Sequence, residues 1–153
     1  TIENCSVSGS VSGTVYVGGV VGAQIGGSIT GCSSSATVKG TVDVGGVAGQ
    51  TNSSATLTAC YATGNVTSTG SSTGKVHIGG FLGNNYTTVT ACYWKNNHEQ
   101  GIGYNRESTG ATKVDGTGVT WKNAVDAMNT ALQNAGSEWR YELNGALPTL
   151  RKQ

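Results

Sequence analysis

The chain has 153 residues, and only 11% of them are charged, with a formal net charge of +1. Soluble domains usually contain about 25% charged residues, so we expect Ser, Thr, Asn and Gly to keep this surface hydrated. A balance this close to neutral gives no electrostatic basis for nucleic-acid binding or for attraction to an anionic membrane, and no stretch approaches the roughly 18 apolar residues of a membrane span. We expect one or two domains, with no nucleic-acid partner and no membrane insertion.

A glycine-rich string occurs three times in the first 92 residues. It reads Gly-Gly-Val-Val-Gly at 18–22, Gly-Gly-Val-Ala-Gly at 45–49 and Gly-Gly-Phe-Leu-Gly at 79–83. Self-similarity at a fixed period is the signature of a repeat architecture. The sequence therefore predicts a chain built from stacked units.

The cysteines keep the same period, and each stands three residues after an aliphatic side chain. They are 27, 28 and 32 positions apart, at Cys5, Cys32, Cys60 and Cys92. Six extra residues separate the third cysteine from its glycine pair, and they fall in the Ser-, Thr- and Gly-rich run 68–74. Stacked repeats tolerate insertions that leave the flanking register intact, so we predict a surface loop there.

The four residues that end just before each glycine pair alternate in polarity. They are Thr-Val-Tyr-Val at 14–17, Thr-Val-Asp-Val at 41–44 and Lys-Val-His-Ile at 75–78. This alternation of β-branched residues predicts a strand with its second and fourth positions facing inward. The predicted inward residues are Val15, Val17, Val42, Val44, Val76 and Ile78, and the predicted outward residues are Tyr16, Asp43 and His77.

Strands this short cannot bury an apolar face alone, so each unit must stack on the next. The pattern predicts an all-β fold, a parallel β-helix (β-solenoid) of about four coils, right-handed by the usual crossover rule. We interpret the glycine pairs as corners, where glycine can adopt a positive φ and lets coils approach closely. Because the aliphatic residue and the cysteine of each unit are three apart, a bend must separate them if both face inward.

The four cysteines permit two readings. A secreted protein could form two disulfides, but in-register side chains on stacked coils point the same way and rarely reach the required torsion. We favour an internal ladder of free thiols packed as small apolar groups. A metal site is not expected, because no two cysteines are closer than 27 positions and zinc ligands cluster within a few residues.

The pattern changes after Cys92, and all three tryptophans lie beyond it. Residues 120–132 predict a helix with Thr120 as N-cap and Gly136 as its stop. Its predicted apolar stripe is Ala124, Val125, Met128, Ala131 and Leu132. Two apolar-patterned runs around Asn144-Gly145 predict a hairpin, with Pro148 placing the last run at an edge. We expect repeats at 1–118 and a cap at 119–153, with Trp121, Trp139 and Leu150 covering the last coil.

The repeated segments 18–32 and 45–64 resemble the GLUG repeat, a family with a glycine-rich core. The run Cys-Tyr-Ala-Thr-Gly-Asn-Val at 60–66 is a close match to its pattern. The resemblance covers residues 1 to about 95. It implies a bacterial secreted or surface-anchored protein, often adhesin-like, and a fragment of a longer chain. The family has no catalytic motif that could be carried over to these residues.

One constellation invites a catalytic interpretation. Stacking would place Tyr16, Asp43 and His77 on three successive coils, with the Asp43 carboxylate beside the His77 imidazole, as in a general base and its orienting group. A solvated face is the favoured reading, because no nucleophile accompanies the column. Glycoside hydrolysis needs a pair of carboxylates, and the first 92 residues contain only Glu3 and Asp43. Calcium-binding solenoids need an Asp in every coil, which this sequence lacks.

An exposed aromatic set is the better candidate for binding. Aromatic rings can stack on sugar faces or anchor a protein partner. The alternative is that Tyr93 and Trp94 pack beneath the cap. The candidate binding residues are Tyr86, Tyr93, Trp94, His98 and Tyr104.

The sequence thus predicts a non-enzymatic, adhesin-like module of an extracellular or cell-surface bacterial protein, without cofactor or metal. Its expected partners are a glycan or a host protein and the other domains of the same longer chain. The main alternative is a rigid stalk that presents another domain. A polysaccharide-degrading β-helix is a third, less favoured reading.

Overall fold

The protein is described by a computed structural model that covers residues 1–69, 76–105 and 109–153. Short strands in equivalent places of successive units pair in parallel. The first coil contains β1 (Ile2–Glu3), β2 (Ser6–Val7), β3 (Ser10–Ser12), β4 (Val15–Gly18) and β5 (Val21–Gln24). The second contains β6 (Gly27–Thr30), β7 (Ser33–Ser34), β8 (Thr37–Gly40), β9 (Val42–Gly45) and β10 (Ala48–Thr51).

The third and fourth coils continue the stack. The third contains β11 (Ala55–Thr58), β12 (Tyr61–Ala62), β13 (Val66–Ser68), β14 (Ile78–Gly79) and β15 (Leu82–Asn85). The fourth contains β16 (Val89–Trp94) and β17 (Ile102–Asn105), and β18 (Thr109–Lys113) pairs with β16. The loop predicted at 68–74 lies outside the described residues, apart from Ser68 and Thr69.

Matching sequence positions lie directly above one another. Ile2 pairs with Ile29, Ile29 with Leu57, and Leu57 with Val89. Likewise Val17 pairs with Val44. The prediction of a parallel β-solenoid of about four coils is confirmed, and its right-handed winding stays a prediction.

The bend between the aliphatic residue and the cysteine lies at one residue in every coil. The residue just before each cysteine adopts a left-handed backbone, with φ of 57° at Asn4, 63° at Gly31, 55° at Ala59 and 49° at Ala91. Such a residue interrupts the alternation of a strand. Both the aliphatic residue and the cysteine can then face the interior, as the sequence required.

The thiols form the predicted ladder in three coils out of four. Cys32, Cys60 and Cys92 are fully buried free thiols, and Cys5 in the first coil is exposed. Two effects raise the pKa of Cys32: a hydrogen bond with the Cys60 thiol, which is the larger effect, and burial. Burial also raises the pKa of Cys60. These side chains therefore pack as neutral apolar groups.

The glycine pairs act through close approach. Each pair lies at the corner between two strand columns, and the coils approach closely there, as predicted. None of their residues has a positive φ, so the predicted left-handed backbone is wrong. A Cβ on Gly46 would lie 2.3 Å from the Gly80 carbonyl oxygen and 2.7 Å from the Ala62 Cβ. The interior is too narrow at this level for any side chain.

The predicted inward direction of the Val15 column is also wrong. Val15 is 50% exposed, and Val42 and Val76 are only half-buried, whereas Val17 and Val44 lie in the core. The cause is the backbone of the residue between them, because Tyr16 and Asp43 are left-handed, with φ of 55° and 51°. A left-handed residue interrupts the inward and outward alternation of side chains along a strand, so Val15 and Val17 do not both face the core.

The predicted helix is confirmed as α1 (Trp121–Asn134). Thr120 and Asn123 form a reciprocal capping box at its start. Gly136, with φ of 75°, follows the C-cap, and its N–H and that of Ser137 bond back to the carbonyls of Gln133 and Leu132. This is a Schellman motif. Every residue of the predicted apolar stripe is buried, as is Trp121. No helix among the described residues has the length and apolar character needed to cross a bilayer.

The hairpin is present, but with a longer turn than Asn-Gly implied. Strand β19 (Trp139–Glu142) pairs antiparallel with β20 (Thr149–Lys152), and Glu142 lies opposite Thr149, so residues 143–148 form the connection.

The helix and hairpin cover the side of the solenoid. Helix α1 packs with Ala59, Tyr61 and Tyr93. The Trp121 ring lies 5.1 Å from that of Tyr61 in the third coil, and Leu150 reaches Gly31 in the second. The prediction that Trp121, Trp139 and Leu150 cover the last coil is therefore wrong in position for Trp139 and Leu150, which lie beside the earlier coils. Trp121 shares its buried cluster with Tyr93 of the fourth coil as well as with Tyr61 of the third. Below, "covered face" means the side of the solenoid that bears Ala59, Tyr61 and Tyr93.

Candidate functional site

A groove with a volume of about 440 Å³ lies where the fourth and fifth strand columns of the solenoid meet. The fourth column is β4, β9 and β14, and the fifth is β5, β10, β15 and β17. We call this groove the tyrosine groove. Its lining residues are Tyr16, Val42, Asp43, Gln50, His77, Asn84, Tyr86 and Tyr104.

Asp43 forms the floor of the groove and is only 5% exposed. Its left-handed backbone turns the side chain away from the solenoid core. The close fit behind it needs a glycine, because a Cβ on Gly49 would lie 2.6 Å from both the Asp43 carbonyl oxygen and the Tyr16 carbonyl carbon. The third glycine of the repeated string therefore positions the floor.

Both carboxylate oxygens of Asp43 are engaged. Oδ1 lies 2.6 Å from Nδ1 of His77, and Oδ2 accepts a hydrogen bond of 3.2 Å from the amide nitrogen of Asn84. The predicted adjacency of Asp43 and His77 is confirmed, and burial of the carboxylate is the part that the sequence reading missed. Partners of this kind are what a buried carboxylate requires.

The side chain of Asn84 has an unpaired hydrogen-bond acceptor. The residue is 4% exposed, and its Oδ1 atom is buried without a hydrogen-bond partner. Most buried polar atoms in proteins are paired, so this oxygen marks a place where a donor is missing. Asn84 lies between Gln50 and Tyr104 in the strand register, on the third coil.

Aromatic rings flank this polar floor. Tyr16 is 43% exposed and Tyr104 is 41% exposed. The His77 ring lies 4.9 Å from the Tyr104 ring, tilted by 40°. Because Tyr16 belongs to the first coil and Tyr104 to the fourth, the groove crosses three steps between coils, roughly 14 Å at about 4.8 Å each.

The structure divides the predicted aromatic set. Tyr86 and Tyr104 lie in the tyrosine groove. Tyr93 packs beneath α1 and Trp94 in the solenoid core, at 8% and 7% exposure, so the expectation that these two are exposed is wrong. Burial follows from the left-handed residue before Cys92, which lets β16 turn both side chains into apolar surroundings. His98 lies away from the groove, with Nε2 2.7 Å from the Val66 carbonyl oxygen.

The sequence reading missed Asn84 and Gln50. Both follow a glycine-rich string at the same distance, so the repeat alignment could have placed them on one column. The sequence places Tyr16 in the outward column but not in the binding set.

The chemistry available in the groove is recognition by polar and aromatic groups. Among its described lining residues, Asp43 is the one carboxylate and no hydroxyl or thiol nucleophile of Ser, Thr or Cys is present. Within the part of the chain that the structure covers, no three His, Cys, Asp or Glu side chains are grouped as metal ligands. The groups that can contact a ligand are therefore the aromatic ring faces, the buried Asp43 carboxylate and the amides of Gln50 and Asn84.

A second cavity, of about 410 Å³, lies between the hairpin and the first three coils and has a mainly apolar lining that includes Tyr61, Trp139 and Leu147. This cavity lies between the covered face and the hairpin that packs on it.

Fold and repeat together define the class of this protein as a parallel β-solenoid repeat module. Residues 13–39 match the family model of the GLUG motif, which confirms the resemblance drawn from the sequence, and the structure stacks the equivalent segments of the neighbouring coils on that unit. Searches of curated proteins and of solved structures give no significant match.

Proposed function

We propose that this module belongs to a larger bacterial secreted or cell-surface protein and binds a glycan, without catalysis, through the tyrosine groove. The observation that supports this most is the buried Asp43–Asn84 pair, with an unused amide oxygen, between exposed tyrosine rings.

The groove has the two properties that a sugar ligand needs. The exposed rings of Tyr16 and Tyr104 offer flat apolar surface for the C–H face of a pyranose, and the floor holds an amide oxygen, Asn84 Oδ1, that lacks a hydrogen-bond donor. An open groove across four coils suits a short segment of a chain, because such a ligand can enter and leave along its length.

A rigid stalk is the second candidate function. The in-register stack from Ile2 to Val89 supports it, because a continuous ladder holds its ends at a fixed separation. A stalk has no use for exposed rings around a buried carboxylate, so binding is the favoured role.

The test is an array of glycans and host proteins probed with the intact chain, followed by calorimetric titration of the best glycan. The Tyr104→Ala variant should weaken that glycan about tenfold, the equivalent of about 1.4 kcal/mol. Ile25→Ala is the matched control, because Ile25 is 76% exposed and lies outside the groove; it should bind as the wild type does.

Three outcomes would contradict the proposal. An empty array would favour the stalk. A hit on a host protein alone would replace the glycan as ligand. Release of new reducing ends from a polysaccharide panel would show a degrading enzyme instead.

A further inference from the structure

We propose that the tyrosine groove selects neutral, hydroxyl-bearing glycans and rejects chains of uronic or sialic acids. This inference rests on the proposed function, and it names the ligand class by the hydrogen-bonding character of the groove floor.

The orientation of the Asn84 amide is fixed by chemistry. Asp43 Oδ2 is an acceptor, so the Asn84 atom 3.2 Å from it must be the amide nitrogen, because two acceptor oxygens at that distance would repel each other. The amide oxygen of Asn84 is then necessarily the atom left without a partner. The amide assignment therefore does not depend on a choice between two similar atoms.

The floor consequently contains an acceptor that lacks a donor. The unpartnered Asn84 Oδ1 is buried and lies on the same side chain that bonds Asp43, the one carboxylate among the described lining residues. A sugar hydroxyl that reaches this oxygen through a small shift of the Asn84 side chain donates to it, which removes the cost of leaving it unpaired.

A carboxylated sugar meets the opposite situation. Its carboxylate has no proton to donate, so it would set oxygen against oxygen at Asn84 and would place a second negative charge near Asp43. Repulsion between like charges is stronger in a partly buried place than in bulk water. Among the described lining residues, protonated His77 would be the one cation, and its Nδ1 is already engaged by Asp43.

The experiment compares matched pairs of ligands. Each pair is a neutral hexose oligosaccharide and the same oligosaccharide oxidised to the uronic acid at C6, taken from several linkage types and titrated into the intact chain. The neutral member should bind at least about tenfold more tightly in the pairs that bind at all.

Two further measurements assign the selectivity to the floor. Asp43→Asn keeps the shape and removes the charge, so the preference for the neutral member should shrink. If that variant does not fold, as judged by circular dichroism, the salt dependence of binding to the wild type serves instead. Raising the ionic strength should reduce the difference in affinity between the two members of a pair, because salt screens the repulsion of the oxidised member.

The outcomes separate the two proposals. Equal or tighter binding of the oxidised members would overturn the selectivity and leave glycan binding standing. If the preference for the neutral member were unchanged in Asp43→Asn, or unaffected by salt, the selectivity would not come from the groove floor. Failure of every member of every pair would overturn glycan binding itself.

Discussion

Two clusters of three tyrosines lie on different faces of this solenoid and have opposite surroundings. Tyr61, Tyr93 and Tyr141 are buried on the covered face. Tyr16, Tyr86 and Tyr104 line the tyrosine groove, and no part of the helix or hairpin lines it with them.

The difference shows what the C-terminal segment does. On the covered face, the Tyr61 hydroxyl donates to the Pro148 carbonyl, the Tyr141 hydroxyl donates to the Ala59 carbonyl, and the Tyr61 ring packs edge-on against Trp121. Tyrosines whose hydroxyls and rings are engaged in this way serve to hold the fold together. The helix and hairpin cover one aromatic cluster and leave the other open to solvent, which makes the open cluster the candidate for recognition.

The largest expected effect comes from alkaline pH, because it acts on the whole covered cluster at once. Burial raises the pKa of Tyr61, Tyr93 and Tyr141. A tyrosine with a raised folded-state pKa gives stability that is fully present below its ordinary value of about 10 and is lost as pH rises through the raised value.

The melting temperature should therefore fall steeply above about pH 10, with an earlier decline above about 8.5 from Cys32 and Cys60, whose pKa values are also raised. Circular dichroism melts and tyrosinate absorbance measure both processes. The fall should be shallower in Tyr141→Phe, relative to its own value at pH 7. Ionisation of all six tyrosines near pH 10 in a protein that stays folded would contradict the comparison.

Removing one contact of the cover should have the next largest effect. Leu132 is fully buried on α1, and Leu132→Ala should lower the free energy of unfolding by about 2–5 kcal/mol, since it leaves a cavity. Urea denaturation measures the change. Lys122→Ala on the exposed side of the same helix is the control and should stay within about 0.5 kcal/mol. A similar loss in both variants would show that the cover is not held by its apolar side.

A smaller effect is expected behind the groove. Gly49→Ala would force a Cβ to 2.6 Å from the Asp43 carbonyl oxygen, so we expect a loss of about 1–3 kcal/mol from overpacking together with weaker glycan binding. Gly145→Ala is matched to it, because a Cβ there meets nothing within 4 Å. If Gly49→Ala were as stable as this control, the groove floor would not depend on the close fit.

Sequence reasoning recovered the features that repeat. The glycine strings, the cysteine period and the stripe from Ala124 to Leu132 each recur at a spacing set by backbone geometry, so they predicted the stack and the helix. The failure at the Val15 column has a local source. Left-handed residues such as Tyr16 and Asp43 leave no clear mark in the sequence, and each one changes the direction of the side chains beside it.

The candidate site was recovered in part for the same reason. Asp43 beside His77 followed from stacking alone, and Tyr86 and Tyr104 from their place in the chain. The burial of Tyr93 and Trp94 depended on where β16 turns and on where α1 settles, and contacts between distant parts of the chain decide both. The role of Asn84 emerged only once its neighbours were placed.

The residues of the groove come from four different coils, one or a few from each. No single unit contains the whole groove, because the groove arises only from the assembly of neighbours. If the groove binds a ligand as proposed, exchanging the residues of one coil would alter that ligand while leaving the scaffold in place, so such an architecture would diversify its binding one layer at a time.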